Sequence, residues 1–439
     1  MSKEFLSVKR INDVYRPIDE RVNDMYEVER CISLEEIKAQ AFRCMDCGIP
    51  FCHGAGCPLG NVIPEINAAV HNEDYQTAWN ILSSTSSMPE FTSRVCPALC
   101  EGSCTAQLIS EPVMVRQIEK LVVEYAFAHN WVKPNTPASR SGRRVAVVGS
   151  GPSGLSTAIE MNKFGHEVTV FERRSDFGGL LRYGIPSFKL SKEIIDRRIE
   201  ILKASGIRFE ANTEIGMDIA IDYLAKRFDA VVIAGGTPTA RDLKIPGREL
   251  NGIHFALDYL NGKVSAAGKK VLIIGGGDTG SDCVGRSVRE RAASIVQVEI
   301  MPKPPEKRSE STPWPLWPYL LRTSSSQKEG GVRFWNIQSN KFVSDDGKNI
   351  SGVEVSSVNW EFSVGGRPLK FTAEADKSEV LKADLVLLAM GFLKPEHQYQ
   401  QKNIFVVGDA ANGPSLVVRA IADAKNHAAK IDAFLQEEK

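Results

Sequence analysis

Beyond residue 104 this chain has a single cysteine, Cys283, and no Cys-x-x-Cys pair, which excludes an internal redox disulfide of that kind from the larger part of the sequence. Nor is charge of either sign in surplus. The 54 Lys and Arg are matched by 54 Asp and Glu, so the chain as a whole has no attraction for nucleic acid or an anionic membrane. Long hydrophobic runs are missing too: the most apolar stretch, near Ala383 to Leu393, is far too short to span a bilayer and reads as a buried parallel strand. Met1 to Arg10 alternate charged and apolar groups without an apolar block, so no secretory signal is expected. The expected compartment is the cytoplasm or another reducing one.

At 439 residues the chain exceeds the size at which one core keeps growing, and two or three domains are expected. A hydrophobic share of 43% and a charged share of 25% are ordinary for a folded protein and exclude collagen-like and disordered classes. Residues 1 to about 138 hold helix-period segments with almost no β-branched alternation. There, Ser33 and Glu36 form a capping box. Pro134 to Gly142, with two prolines among small polar residues, breaks helix and strand alike and marks a domain boundary. From Arg143 onward, short apolar runs, glycine turns and helical segments alternate, which is the texture of βαβ units in a parallel sheet.

Two of those runs open glycine fingerprints. Arg144-Val-Ala-Val-Val leads into Gly149-Ser-Gly151-Pro-Ser-Gly154, and Lys270-Val-Leu-Ile-Ile leads into Gly275-Gly-Gly277-Asp278-Thr279-Gly280. Each lies between a strand and a helix, the context that makes G-x-G-x-x-G a dinucleotide signal. The first glycine turns the chain, the second admits a pyrophosphate, and the third lets helix and strand pack. Glu172 ends the next strand of the first unit, where a carboxylate bonds ribose hydroxyls. Aligned on the first unit, the position of Glu172 falls at Ile300 in the second, so Glu299, one residue off, is expected on the opposite face. Lys303, Lys307 and Arg308 follow and suit a 2′-phosphate, which favours NADPH; a solvated basic loop would read the same way.

Seven of the nine cysteines form two groups, Cys44-x2-Cys47-x4-Cys52-x4-Cys57-Pro58 and Cys96-Pro97-x2-Cys100-x3-Cys104. In a reducing compartment such clustering points to metal or redox chemistry rather than disulfides. Neither group has zinc-ribbon spacing, and seven thiols beside two dinucleotide sites fit iron–sulfur clusters better than a closed zinc site. Two 4Fe-4S clusters need about eight ligands, so one ligand must be a different side chain. Glu119, with Gln117 beside it on a helix just past the second group, is a candidate, although a helix glutamate taken alone reads as a solvated surface residue. Cys31 and Cys283 stand apart, and Cys283 reads as a core thiol.

Phe177 to Pro186, with Gly179 and Leu180, resembles the flavin-contacting stretch of the two-dinucleotide flavoprotein reductases. Asn403-Ile-Phe-Val-Val-Gly408-Asp409 resembles their second FAD motif, in which the aspartate bonds the ribityl chain. With Arg43 to Cys52, Cys57 to Asn61, Arg94 to Gly102, Met301 to Pro305 and Pro313 to Pro318, nearly the whole chain resembles the glutamate synthase small (β) subunit family. More distantly it resembles the amino-terminal half of dihydropyrimidine dehydrogenase.

The resemblance implies two Rossmann-like α/β domains, for FAD and for NAD(P)H, preceded by a mainly helical iron–sulfur domain. Its boundaries would be 1–138 for the clusters, 143–260 with 394–439 for FAD, and 261–393 for the nicotinamide nucleotide. It implies one cluster on Cys44, Cys47, Cys52 and Cys104, and another on Cys57, Cys96, Cys100 and Glu119. Hydride would pass from NADPH to FAD without any acid–base catalytic residue. Electrons would leave through both clusters to a glutamate synthase large (α) subunit or an equivalent acceptor. The rival readings are an electron-input subunit of a pyrimidine reductase or a ferredoxin:NADP transhydrogenase, or a non-enzymatic cofactor-bearing assembly subunit. Against the family pattern, the stretches Leu260 to Gly268 and Leu393 to Asn403 are short.

Overall fold

A computed structural model of the chain describes residues 4–363, 366 and 368–437. Two five-stranded parallel sheets carry the α/β part. The first runs Ile404–Val406, Ala230–Ile233, Arg144–Val148, Glu167–Phe171, Arg208–Glu210. The second repeats this order with Ile253–Phe255, Leu385–Leu388, Lys270–Ile274, Ser294–Val298 and Val332–Phe334.

The unbroken apolar runs follow from burial on both faces. Val145 and Val147 join the core under helices Pro152–Lys163 and Val417–Glu437, whereas Ala146 faces a second core with Phe171, Val231 and Ile233. In the second sheet Leu272 and Ile274 face one core, and Val271 and Ile273 the other.

The second sheet is inserted into the first domain. The outgoing connection, Thr239–Ala240, pairs antiparallel with the returning one, Phe392–Leu393. Because Ile253–Phe255 pairs with Leu385–Leu388, the chain has joined the second sheet before Ile253, ahead of the boundary expected at 260. A three-stranded antiparallel sheet, Ile337–Val343, Gly352–Phe362 and Pro368–Lys382, extends the inserted domain and was not legible as such. Its inward residues Phe342, Val353 and Val355 complete the core beneath Leu272.

The amino-terminal part is helical, with its own core of Ile37, Ile63, Ile66, Leu82, Ile118 and Val122. Ser33 and Glu36 make the expected capping box on helix Leu34–Phe42. This part is fastened to the others by buried ion pairs. Arg198 of the first α/β domain is paired with the fully buried Glu90. Glu329 of the inserted domain, also with no side-chain exposure, lies 2.7 Å from Arg21 and 2.6 Å from Arg289. Arg289 also donates to Asp24 O and stacks 3.9 Å from the ring of Phe188.

Removing one member of such a group leaves the others buried without a counter-charge. Glu329→Gln is expected to destabilise the fold by about 3 kcal/mol and to open the arm around Arg21 to proteolysis. Thermal unfolding and limited digestion measure this, and an unchanged melting midpoint would refute the clamp.

Candidate functional site

At the first fingerprint, Gly149 has φ +105°, and a Cβ there would lie 2.7 Å from Ala234 O. A Cβ on Gly154 would lie 1.9 Å from Gly149 O, so no side chain fits between strand and helix. The structure brings the other first-unit residues to this turn. A Cβ on Gly179 would meet Gly151 Cα at 2.6 Å, which puts the Gly179–Leu180 corner against the middle glycine. A Cβ on Gly408 would meet Ser153 Cβ at 2.5 Å, which seats Gly408 and Asp409 at the start of helix Pro152–Lys163.

Ser150, which the sequence reading passed over, ties the corner together. Its hydroxyl donates to Glu172 Oε2 at 2.5 Å and accepts from Gly178 N at 3.0 Å. Asp409 accepts from Ser415 Oγ at 2.5 Å, and burial raises its carboxyl above the usual range. The cradle has glycine backbone at the helix start and carboxylates at its two ends, the donor and acceptor set that a dinucleotide's phosphates and sugar hydroxyls require.

The second fingerprint copies the first. A Cβ on Gly275 would lie 2.2 Å from Ala389 O and one on Gly280 2.3 Å from Gly275 O, while around Gly277 there is open space. Asp278 and Thr279 begin helix Asp278–Arg289. Here the structure overturns the expectation for Glu299. Gly149 N donates to Phe171 O and Gly275 N to Val298 O, so the residues that follow, Glu172 and Glu299, are equivalent. The second unit is longer by one residue between fingerprint and carboxylate, because Phe164, Gly165 and His166 link helix to strand in the first unit and Glu290, Arg291, Ala292 and Ala293 in the second; the alignment at Ile300 overshot this by one. The extra residue is absorbed in the turn, not in the strand.

Arg308 is also displaced from its expected role. Its guanidinium donates to the backbone oxygens of Thr312, Leu316 and Gly102 and to Gln107 Oε1, fastening a loop of the inserted domain to the helical part. Lys303 is half exposed, 3.8 Å from Glu306 and 5.8 Å from the ring of Trp335.

The cysteines gather around two cavities. One is lined by Cys57, Cys96, Cys100 and Glu119, with Asn61, Arg116 and Val418. The other is lined by Cys44, Cys47, Cys52 and Cys104, with Asn67. The two linings thus interleave in sequence, Cys57 standing with Cys96 and Cys100, and Cys104 with Cys44, Cys47 and Cys52. Gln117 lines neither cavity.

Glu119 is buried, accepts from Asn61 Nδ2 at 2.8 Å, and is raised to about 7 by that burial. Burial likewise pushes the Cys52 thiol to about 12 and the Cys57 thiol to about 11. A strongly cationic group is what would hold these side chains as thiolates in so dry a setting. The buried Asn67 amide, without a nitrogen or oxygen partner among the described residues, faces the Cys44 thiol at the second cavity. These residues fit iron–sulfur clusters, with thiolate and carboxylate ligands and an amide donor toward sulfur. Cys283 is a fully buried core thiol, as expected.

Comparisons with known proteins agree with this geometry. Residues 21–131 match the family described as dihydropyrimidine dehydrogenase domain II, 4Fe-4S cluster. Residues 115–224 and 143–312 match pyridine nucleotide-disulphide oxidoreductase. The glutamate synthase [NADPH] small chain of Mycobacterium tuberculosis is 42% identical over 460 positions, covering 96% of this chain and 93% of that one. That of Bacillus subtilis is 38% identical, covering 98% and 97%. The glutamate synthase [NADH] of Saccharomyces cerevisiae is 38% identical over 99% of this chain, which spans 22% of that protein. An alignment of 460 positions to a 439-residue chain means that the mycobacterial relative carries residues lacking here. Among solved structures, Mycobacterium tuberculosis FprA in complex with NADPH superposes with a TM-score of 0.56 at 17% identity, covering 67% of this chain and 85% of that one.

Glu119→Ala should remove one side chain from the first cavity and leave the second intact. If each cavity holds a 4Fe-4S cluster, iron and sulfide of anaerobically prepared protein are expected to fall by about half, with one of two low-temperature paramagnetic signals surviving dithionite reduction. If both signals are unchanged, Glu119 is not a ligand.

Proposed function

The chain belongs to the glutamate synthase small-chain family, and from that premise we propose that it is the electron-input subunit of such an enzyme. It takes hydride from NADPH at the second fingerprint, and its electrons leave through two 4Fe-4S clusters to a large subunit. There they serve to make glutamate from 2-oxoglutarate and glutamine-derived ammonia. FAD supplies the change from an electron pair to single electrons, and the clusters supply one-electron carriage.

The chain's residues do the holding. Gly149, Gly151, Gly154, Glu172, Gly179, Leu180, Gly408 and Asp409 would take FAD. Gly275, Gly277, Asp278, Thr279 and Gly280 would take the nicotinamide nucleotide, with Lys303 toward the 2′-phosphate. Cys44, Cys47, Cys52 and Cys104 would hold one cluster, and Cys57, Cys96, Cys100 and Glu119 the other.

The placement of the two cavities carries this reading. Cys57 and Cys96 pack against the core of the FAD-type domain, and Val418 of that domain's last helix lines their cavity. Cys44, Cys52 and Cys104 pack only into the helical part's own core among the described residues. The two sites thus lie in series, inner then outer, from the FAD-type domain outward. A reduced nucleotide bound at Gly277 meets open space, while the flavin corner stands across the interface where Lys189 is paired with Asp282.

Anaerobically purified protein is expected to carry about eight iron and eight sulfide per FAD, to be bleached by NADPH, and to support glutamate formation when mixed with the large subunit. Stoichiometric zinc with little iron would overturn the proposal. Gly277→Leu should stay yellow and resist bleaching by NADPH, because the two fingerprints serve different ligands. Loss of FAD with normal hydride transfer after flavin is restored would mean that the two sites are reversed.

A further inference from the structure

Glu299 stands where a Rossmann-type site reads the adenosine ribose, and it repeats the backbone hydrogen bonds of Glu172, without a counterpart of the Ser150 hydroxyl. Glu172 Oε2 accepts from Ser150 N at 3.2 Å and Oε1 from Arg174 N at 3.0 Å. Glu299 Oε2 accepts from Gly276 N at 2.6 Å and Oε1 from Met301 N at 3.1 Å. In both units the backbone N–H donates to the neighbouring strand, to Glu210 O and to Phe334 O. The carboxylate is thus fixed by its own turn, at the mouth of the open space around Gly277.

A carboxylate so placed accepts hydrogen bonds from the 2′- and 3′-hydroxyls of NADH and repels the 2′-phosphate of NADPH. The charged groups on the elements around it divide unequally. Arg333, on the adjacent strand, donates to Arg322 O, Thr323 Oγ1 and Gln327 Oε1 and lies 5.0 Å from the ring of Trp335. The Tyr319 hydroxyl also feels the charge of Glu299. On the segment after Glu299, Lys303 keeps an exposed ammonium, with Glu306 at 3.8 Å. Glu299 therefore favours the hydroxyl and Lys303 the phosphate.

We propose that Glu299 is the specificity-determining residue for the coenzyme. It holds the adenosine ribose of NADH, so the chain oxidises NADH as well as NADPH, and NADPH binds only by displacing this carboxylate from the Gly276 N–H. The proposal rests on the reading that the second fingerprint takes the nicotinamide nucleotide.

The test compares the flavin- and cluster-loaded wild type with Glu299→Gln and with Glu299→Ser, which also makes room for a phosphate. Stopped-flow bleaching by NADH and by NADPH gives one readout. Calorimetric binding of 5′-AMP and 2′,5′-ADP gives another that does not depend on hydride transfer. Removing the charge is expected to shift the preference toward NADPH, and toward 2′,5′-ADP, on the order of tenfold. A shift smaller than about fivefold in variants with wild-type flavin content would overturn the assignment. So would a wild type that NADPH bleaches and NADH does not. A wild type bleached by neither nucleotide would instead overturn the proposed function.

Discussion

A buried carboxylate between two buried guanidinium groups, Glu329 with Arg21 and Arg289, ties the three parts of this chain together. Arg21 comes from the amino-terminal arm, whereas Glu329 and Arg289 belong to the inserted domain. Arg289 stacks on Phe188, which belongs to the flavin-type domain, and Val28 of the arm donates to Phe188 O. Ions so far from water are costly to separate, because each would be left uncompensated. The arrangement of one nucleotide site against the other is therefore built in by electrostatics and close packing. Lys189 with Asp282, and Phe188 against Gly285, add a second anchorage across the same interface.

That rigidity suits one-electron carriers, which must be held at fixed separations and kept dry. A loop of the inserted domain reaches back over the cysteine-bearing part. Trp314 lies 4.6 Å from the ring of Phe51, next to Cys52, and Trp317 takes the space that a side chain at Gly102 would need. Ser103 donates to Pro315 O, and Arg308 joins the loop to Gly102 and Gln107. Prolines in this loop lower the entropy lost on ordering it. The motif Pro313 to Pro318 is thus a strap of the inserted domain laid on the cysteine-bearing part.

How much of this was legible depended on whether a signal was local. The capping box at Ser33, the strands entering Gly149 and Gly275, and the thiol spacings each express their physics within a few residues, and each stands where the sequence put it. The three-stranded sheet of residues 337–382 was missed because its outward face mixes Phe371 and Val380 with charged residues, which blurs the alternation a strand would show. Glu299 was misplaced for a sharper reason. Side-chain direction in a strand alternates, so an alignment wrong by a single residue, in a turn whose length differs between the two units, reverses the inference about every position beyond it. Register is fixed by Gly275 N on Val298 O, a bond that sequence counting does not contain.

Arg308 shows the converse. Its charge and position beside a nucleotide fold suited a phosphate, yet each hydrogen bond it makes is to a carbonyl or amide oxygen of the strap and the helical part. A guanidinium presents a fork of donors in one plane, and a crossing between segments with unpaired backbone oxygens satisfies it as fully as a phosphate does. Lys303, a point charge on a flexible stem, has no such set of partners and keeps its ammonium in water. Arg308 is thereby engaged in holding the inserted domain to the helical part. In the proposed assignment, coenzyme choice rests on the exposed Lys303 ammonium and on one carboxylate, Glu299, fixed by the turn that carries it.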